Sequence, residues 1–379
     1  MEYAKKALEM HEIWKGKIEV VSKAEVNNSK DLAIAYTPGV AEPCKEIFKD
    51  EENLYKYTMK SNTIAVVTDG TAVLGLGDIG AKASLPVMEG KCVLFKEFAG
   101  VNAIPICLDT KDTEEIIKTV KLISPAFGGI NLEDISAPRC FEIEERLKKE
   151  MDIPVFHDDQ HGTAIVVLAG IINSLKIIKK EKKLLKVVIN GAGSAGIAIT
   201  KILINFGINN IILCDKNGVL NKSDNNINWA QNEISKLINP ENVEGNLKDA
   251  LVDSDVFIGV SAPNILNSEM IKTMNENSIV FALANPIPEI MPDIAKNAGA
   301  KIIATGRSDF PNQINNVLAF PGIFKGALKS RKQITDEMKI KAAYAIASMI
   351  KDEDLSEENI IPKAFEKGVA DLVAAAVSE

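Results

Sequence analysis

The segment KVVINGAGSAGIAITKILINFGINNIILCD, residues 186–215, decides the fold. Its apolar opening KVVIN reads as a short buried strand. The glycines Gly191, Gly193 and Gly196 follow in the pattern G-x-G-x-x-G, and Ser194 to Phe206 has the spacing of a helix stopped by Gly207. A second apolar run, NIILCD, ends in Asp215, nineteen residues beyond Gly196. Strand, glycine turn, helix, strand and terminal acid together form a dinucleotide-binding unit. The glycines allow a tight turn and close approach to a pyrophosphate, which rests on the helix N-terminus at Ser194 and Ala195. Asp215 is placed to hold the adenosine ribose hydroxyls. Asp215 repels a 2′-phosphate and so favours NAD⁺, while the adjacent Lys216 leaves NADP⁺ open.

Downstream, VFIGV, SIVFALANP and KIIAT continue the alternation of short apolar strands with helices, which predicts a parallel sheet covered on both faces. The chain from Gln333 to Glu379 reads as helices. Upstream, LGLGDIG at residues 74–80 also fits the glycine pattern. Asp78 inside it repels a pyrophosphate, and no strand with a terminal acid follows. It reads as a loop whose glycines adopt unusual backbone angles.

From Asp31 to Glu150 the chain mixes Gly and Pro turns with short elements. Asn62–Gly70 and CVLFKEF (92–98) read as strands; Thr113–Ser124 and Cys140–Met151 read as helices. The charged run KKEKKLLK (179–186) reads as a solvated helix end at a domain edge. The expected architecture is α/β: a smaller N-terminal α/β substrate domain over residues 1–162, then a Rossmann-type doubly wound parallel sheet with C-terminal helices over 163–379.

At 379 residues, the chain is long enough for two domains. Its 44 Lys and Arg against 52 Asp and Glu, net −8, argue against nucleic-acid binding. Five scattered cysteines with no C-x-x-C pair read as reduced thiols in a cytoplasmic protein. The N-terminus shows helical apolar spacing and no signal-peptide pattern. Thr163–Ile178 is apolar but short for a bilayer and carries Asn173 and Ser174, so it reads as a buried core helix.

Few residues offer chemistry. HDDQHGT (157–163) sets two of the three histidines around Asp158 and Asp159, and NLEDIS supplies Glu133 and Asp134. Two histidines lack the usual zinc ligand count, whereas paired carboxylates suit Mg²⁺ or Mn²⁺. On spacing alone, each acidic pair is more often a helix cap or surface charge. AYTPGVAEPC holds Tyr36 before a Pro-Gly turn. VMEGKCVLFKEFAG places Lys91 at the start of an apolar strand, where desolvation lowers a lysine pKa as a general base requires. A packing tyrosine and a snorkelling lysine are the plainer readings.

Taken together, YTPGVAEPC, VVTDGTAVLGLGDIGAKASLPVMEGKCVLFKEFAG, NLEDI, FHDDQHGTA, the glycine fingerprint, ALANPIPE and GRSDFPNQINNVLAFPGI resemble the malic enzyme family in its short prokaryotic form, from about Ala35 to Leu328. The resemblance implies oxidative decarboxylation of L-malate to pyruvate and CO₂ with NAD⁺ or NADP⁺ and Mg²⁺ or Mn²⁺. It implies Lys91 as general base and Tyr36 as general acid. Glu133, Asp134 and Asp159 become metal ligands, with Asp158 behind them. Asn285 and Asn316 become malate contacts, with Ser261 and Asn285 beside the cofactor. Long forms of the family carry an arginine where Ala72 stands, so the second malate carboxylate has no assigned partner. Their allosteric sites belong mainly to the longer chains, so no fumarate or ATP regulation is expected. A homodimer is expected, with part of the N-terminal segment lent to the partner's site. Two rivals stay open: another nicotinamide-linked dehydrogenase that needs no metal, and a non-catalytic NAD(H) sensor.

Overall fold

The computed structural model describes residues 2–223 and 226–378. Met1 and Glu379, the outer ends of two stretches read as helical, lie outside these. Among the described residues, ten strands form two sheets. β1 (Thr63–Thr68), β2 (Asn102–Cys107), β3 (Gly129–Leu132) and β4 (Val155–His157) make a parallel sheet in the order β2-β1-β3-β4. β5 (Lys186–Asn190), β6 (Asn210–Asp215), β7 (Gly218–Val219), β8 (Val256–Gly259), β9 (Ile279–Ala282) and β10 (Ile302–Thr305) make the second, ordered β10-β9-β8-β5-β6-β7. All pairs in it are parallel except β6 with the two-residue β7. This is the expected doubly wound order, with its third strand reduced to a short antiparallel edge. The order in which strands are added reverses between β5 and β8, which are parallel, and ligands bind at such a switch point.

Continuous apolar strands explain the burial. Val187, Val188 and Ile189 are fully buried because helices cover both faces, and each contributes about 1.5–3 kcal/mol relative to exposure. The helix after the glycine turn runs Ser194–Phe206, as expected, and ends on the left-handed Gly207. Helix Asp158–Ile178 is long and apolar enough to cross a membrane by composition, yet 67% of its apolar window is buried in the protein. It packs against Ser194–Phe206 and Asp336–Ser348. Asn173 does not interrupt it: the buried amide donates to the carbonyls of Ala347 (2.9 Å) and Ile360 (3.0 Å), fixing the neighbouring helix end.

The strand expected at 92–98 is instead the second half of helix Gly80–Ala99. Its buried residues Ala81, Ser84, Met88, Lys91, Cys92, Phe95 and Ala99 recur at intervals of three and four, one helical stripe facing the core. A seven-residue window was too short to separate this from a buried strand. Lys91 therefore stands in mid-helix rather than at a strand entrance.

The C-terminal part does not stay with the second sheet. Helix Phe320–Ser330 lies on the first, where Phe324 meets Phe95 (5.4 Å) and Phe156 of β4 (5.9 Å), and Phe320 meets Phe95 (4.7 Å). Helix Val369–Ser378 covers it in turn, packed closely because Gly322 and Gly326 present no side chain.

Candidate active site

The carboxyl ends of the first sheet carry acid. β3 runs into Glu133 and Asp134, and β4 runs through His157 into Asp158 and Asp159, which begin helix Asp158–Ile178. Helix Gly80–Ala99 delivers Lys91 to them. Its Nζ lies 2.7 Å from Asp158 Oδ2, 2.9 Å from Glu133 Oε1 and 4.1 Å from the Phe320 ring centroid. Asn316 donates its side-chain N–H to the same Asp158 Oδ2 at 2.6 Å, and Asn131 donates to Glu133 at 2.8 Å. The Asp134 backbone N–H donates to Asp159 Oδ2 at 2.7 Å, which Asp134 reaches by adopting a left-handed φ of 53°.

One lysine does not balance four carboxylates. Burial, then repulsion from Asp159 and Glu133, pushes the Asp134 carboxyl up to about 9. Burial also raises Asp158 to about 7 and Asp159 to about 6, against the pull of Lys91. Burial acts to lower Lys91, as the sequence led one to expect, but Asp158 and Glu133 outweigh it and hold its proton more tightly than usual. One carboxylate oxygen each from Glu133, Asp134 and Asp159 lie within 4.8 Å of one another. Asp134 Oδ2 is buried with no hydrogen-bond partner among the described residues. An all-oxygen set with excess negative charge and an orphaned acceptor fits a hard divalent cation. The histidines do not join it: His161 turns away to Glu144 (2.8 Å), and His157 stands 3.6 Å from Asp159.

The second sheet ends differently. Gly191, at φ 118°, turns the chain out of β5, and a Cβ there would lie 2.6 Å from the Val260 carbonyl. Gly193 faces open space, and a Cβ on Gly196 would strike the Gly191 carbonyl. Ser194 and Ala195 form the first turn of the helix that opens on this space. Asp215 closes β6, its Oδ1 accepting from the Asn217 backbone at 2.7 Å. Ser261 follows β8, and Asn285 follows β9 beside the loop 74–80, where a Cβ on Gly75 would come within 3.6 Å of the Asn285 carbonyl. Gly75, Gly77 and Gly80 all have φ above 70°, the loop conformation expected of this first glycine motif.

Two family models match the chain: one described as malic enzyme, N-terminal domain, over residues 15–148, and one described as malic enzyme, NAD binding domain, over residues 160–379. The chain belongs to the malic enzyme family. It is 57% identical over 381 residues to a bifunctional malic/malolactic enzyme of Bacillus subtilis, covering all of this chain and 93% of the relative. It is 59% identical to an NAD-dependent malic enzyme of Geobacillus stearothermophilus over 96% of this chain and 76% of that one. The crystal structure of an NAD-dependent malic enzyme from Thermotoga maritima superimposes with a TM-score of 0.95 at 50% identity, covering 98% of both chains.

Within this malic enzyme fold, Lys91, Glu133, Asp134, Asp159 and Asn316 come together, and the glycine turn, Ser261 and Asn285 line the adjoining sheet ends. Tyr36 does not join them. It ends the helix Ser29–Ala35, 66% exposed, with no hydrogen-bond partner for its hydroxyl among the described residues. Sequence reasoning missed the Phe320 ring beneath Lys91, because no local pattern ties residues so far apart. It also missed Glu144, which accepts from the His157 backbone (3.2 Å) and His161 and so braces the turn that carries Asp158 and Asp159. Burial opposes its ionisation, yet His161, Lys148 and Lys339 hold it well below the usual carboxylate range.

Proposed function

We propose that this chain oxidatively decarboxylates L-malate to pyruvate and CO₂ with NAD⁺ as the preferred hydride acceptor. The observation that carries the reading is the buried lysine–carboxylate cluster at strand ends adjoining a dinucleotide-binding turn. Glu133, Asp134 and Asp159 would hold Mg²⁺ or Mn²⁺. When bound, such a cation supplies Lewis-acid stabilisation of negative charge on the malate C2 oxygen and draws on the carboxylates that otherwise hold the Lys91 proton. Asp158, in contact with Nζ, is placed to take that proton, leaving Lys91 to accept the C2 hydroxyl proton as the C2 hydride passes to the nicotinamide. The C3–C4 bond then breaks, CO₂ leaves with the carboxylate carbon, and the bonding pair remains on C3. A tyrosine hydroxyl returns a proton to C3. Asn285 and Asn316 orient the substrate, and residues 1–162 form its domain.

The exposed position of Tyr36 supports the shared-site homodimer. Helices Ser29–Ala35, Ala41–Lys49 and Asn53–Tyr57 contain no buried residue. Leu8, Val20 and Phe48 are 77%, 94% and 94% exposed, so this arm presents apolar surface for a second copy. Tyr36 would then serve the partner's Lys91. Mixing inactive Tyr36→Phe and Lys91→Ala dimers should restore about a quarter of the parent activity, since half of the random dimers carry one intact site. Subunit exchange without recovery would exclude sharing. The reaction itself is tested with L-malate, Mn²⁺ and each nucleotide: reduced cofactor and pyruvate should appear in equal amounts and stop with EDTA. Reduced cofactor without pyruvate would leave a plain dehydrogenase.

A further inference from the structure

Glu289 is fully buried and has no part in the chemistry above. It lies beyond β9 and divides its two oxygens between two loops. Oε1 accepts the backbone N–H of Ser261 after β8 at 3.0 Å, and Oε2 accepts that of Ala284, the residue before Asn285, at 3.0 Å. The Ser261 hydroxyl donates to Oε1 at 3.4 Å and accepts from the Asn190 side chain at 2.7 Å. Asn190 is the last residue of β5, immediately before Gly191. A polar chain thus runs Asn190–Ser261–Glu289–Ala284 across the ends of β5, β8 and β9. Room for it exists because Gly259 has no side chain: a Cβ there would strike the Glu289 carboxyl.

We propose that Glu289 is a positioning residue that locks the dinucleotide turn and the Asn285 substrate loop at a fixed separation, so that nicotinamide and malate C2 meet at hydride-transfer distance. Two acceptor atoms are essential to this role. A carboxylate satisfies both loop N–H groups, whereas an amide of the same shape satisfies one and turns an N–H₂ donor against the other. An unsatisfied buried donor displaces its loop, and hydride transfer is sensitive to small misplacement. Salt bridges play no part, for no cation contacts Glu289 among the described residues. The inference rests on the malate reading for the role of Asn285, while the cofactor half stands on the dinucleotide fold alone.

The test compares the parent with Glu289→Gln and Gly259→Ala in three measurements: NADH affinity by nicotinamide fluorescence without malate, KM for malate, and the isotope effect with C2-deuterated malate. Both variants should bind NADH about tenfold more weakly. Both should raise KM for malate and enlarge the isotope effect, while Mn²⁺ affinity stays at the parent value. The double variant should be no worse than the poorer single one, because both act on one carboxylate. A lowered melting temperature with unchanged NADH affinity, KM and isotope effect would overturn the proposal and leave Glu289 as packing. A change confined to one pocket would also overturn it. Should the parent fail to oxidise malate, the NADH arm still decides the cofactor half, and the two failures remain distinct.

Discussion

Two largely parallel sheets bring their carboxyl ends to the candidate site, and those ends are built from opposite materials. The first sheet ends in Glu133, Asp134, Asp158 and Asp159, charges packed where burial penalises every one of them. The second ends in a glycine turn, a serine and asparagines, with Asp215 its only acid among the candidate residues. The first accumulates unfavourable charge that a cation relieves; the second presents preformed backbone donors that an anionic pyrophosphate meets at little cost. The proposed hydride donor held by metal and acceptor held by amides would require such a division. A shared charge-rich mouth would repel the dinucleotide, and a charge-free one would hold no cation.

That contrast can be broken experimentally, since each end should fail alone. Lys91→Ala should lower kcat/KM by about 10³-fold, within the range for a lost general base, while NADH affinity measured without malate stays at the parent value. Residual activity within tenfold of the parent would remove Lys91 from the chemistry. Asp159→Asn should weaken Mn²⁺ binding by at least about tenfold in an electron paramagnetic resonance titration, again sparing NADH. Its metal-free form should also melt at a higher temperature than the metal-free parent, because one of the crowded charges is gone; a lower melting temperature would contradict the electrostatic account. The smallest effect is expected at the second end. Asp215→Ser should shift the kcat/KM ratio of NAD⁺ to NADP⁺ a few-fold toward NADP⁺ and leave Mn²⁺ affinity alone. An unchanged ratio would free Asp215 of any role at the ribose.

The two ends also differed in how readable they were. Everything that defines the dinucleotide turn lies within residues 186–215, so strand, glycines, helix and Asp215 were visible as a local pattern and the helix boundaries held. The acidic end is assembled from distant pieces. Lys91 and Asp158 are 67 residues apart in sequence, and Asn316 reaches Asp158 across 158. Spacing alone favoured caps or surface charge for the acidic pairs, and the ligand reading came from the likeness to the family's motifs. Helix Gly80–Ala99 was half misread because the apolar run CVLF within it, read over seven residues, does not distinguish one buried helical stripe from a buried strand. The Glu289 chain could not be read from the sequence: Glu289 closes the quoted motif ALANPIPE and Ser261 was named beside the cofactor, but the backbone N–H groups of Ser261 and Ala284 that tie them together carry no residue signature.

Phe320 forms the floor under Lys91, and its helix is in turn roofed by Val369–Ser378. During synthesis, the first sheet emerges from the ribosome long before either helix, so the part of its face that helix Gly80–Ala99 leaves free stays uncovered until residues 320–330 and 369–378 have been made. The surroundings of Lys91 are therefore finished late, because Phe320 is made 229 residues after it. Early-exposed β3 and β4 depend on helix Phe320–Ser330, itself covered by Val369–Ser378, for their cover. Limited proteolysis of ribosome-held chains should show the segment 63–157 cut readily until the final helix has cleared the exit tunnel; protection before that point would show that the sheet finds its cover elsewhere.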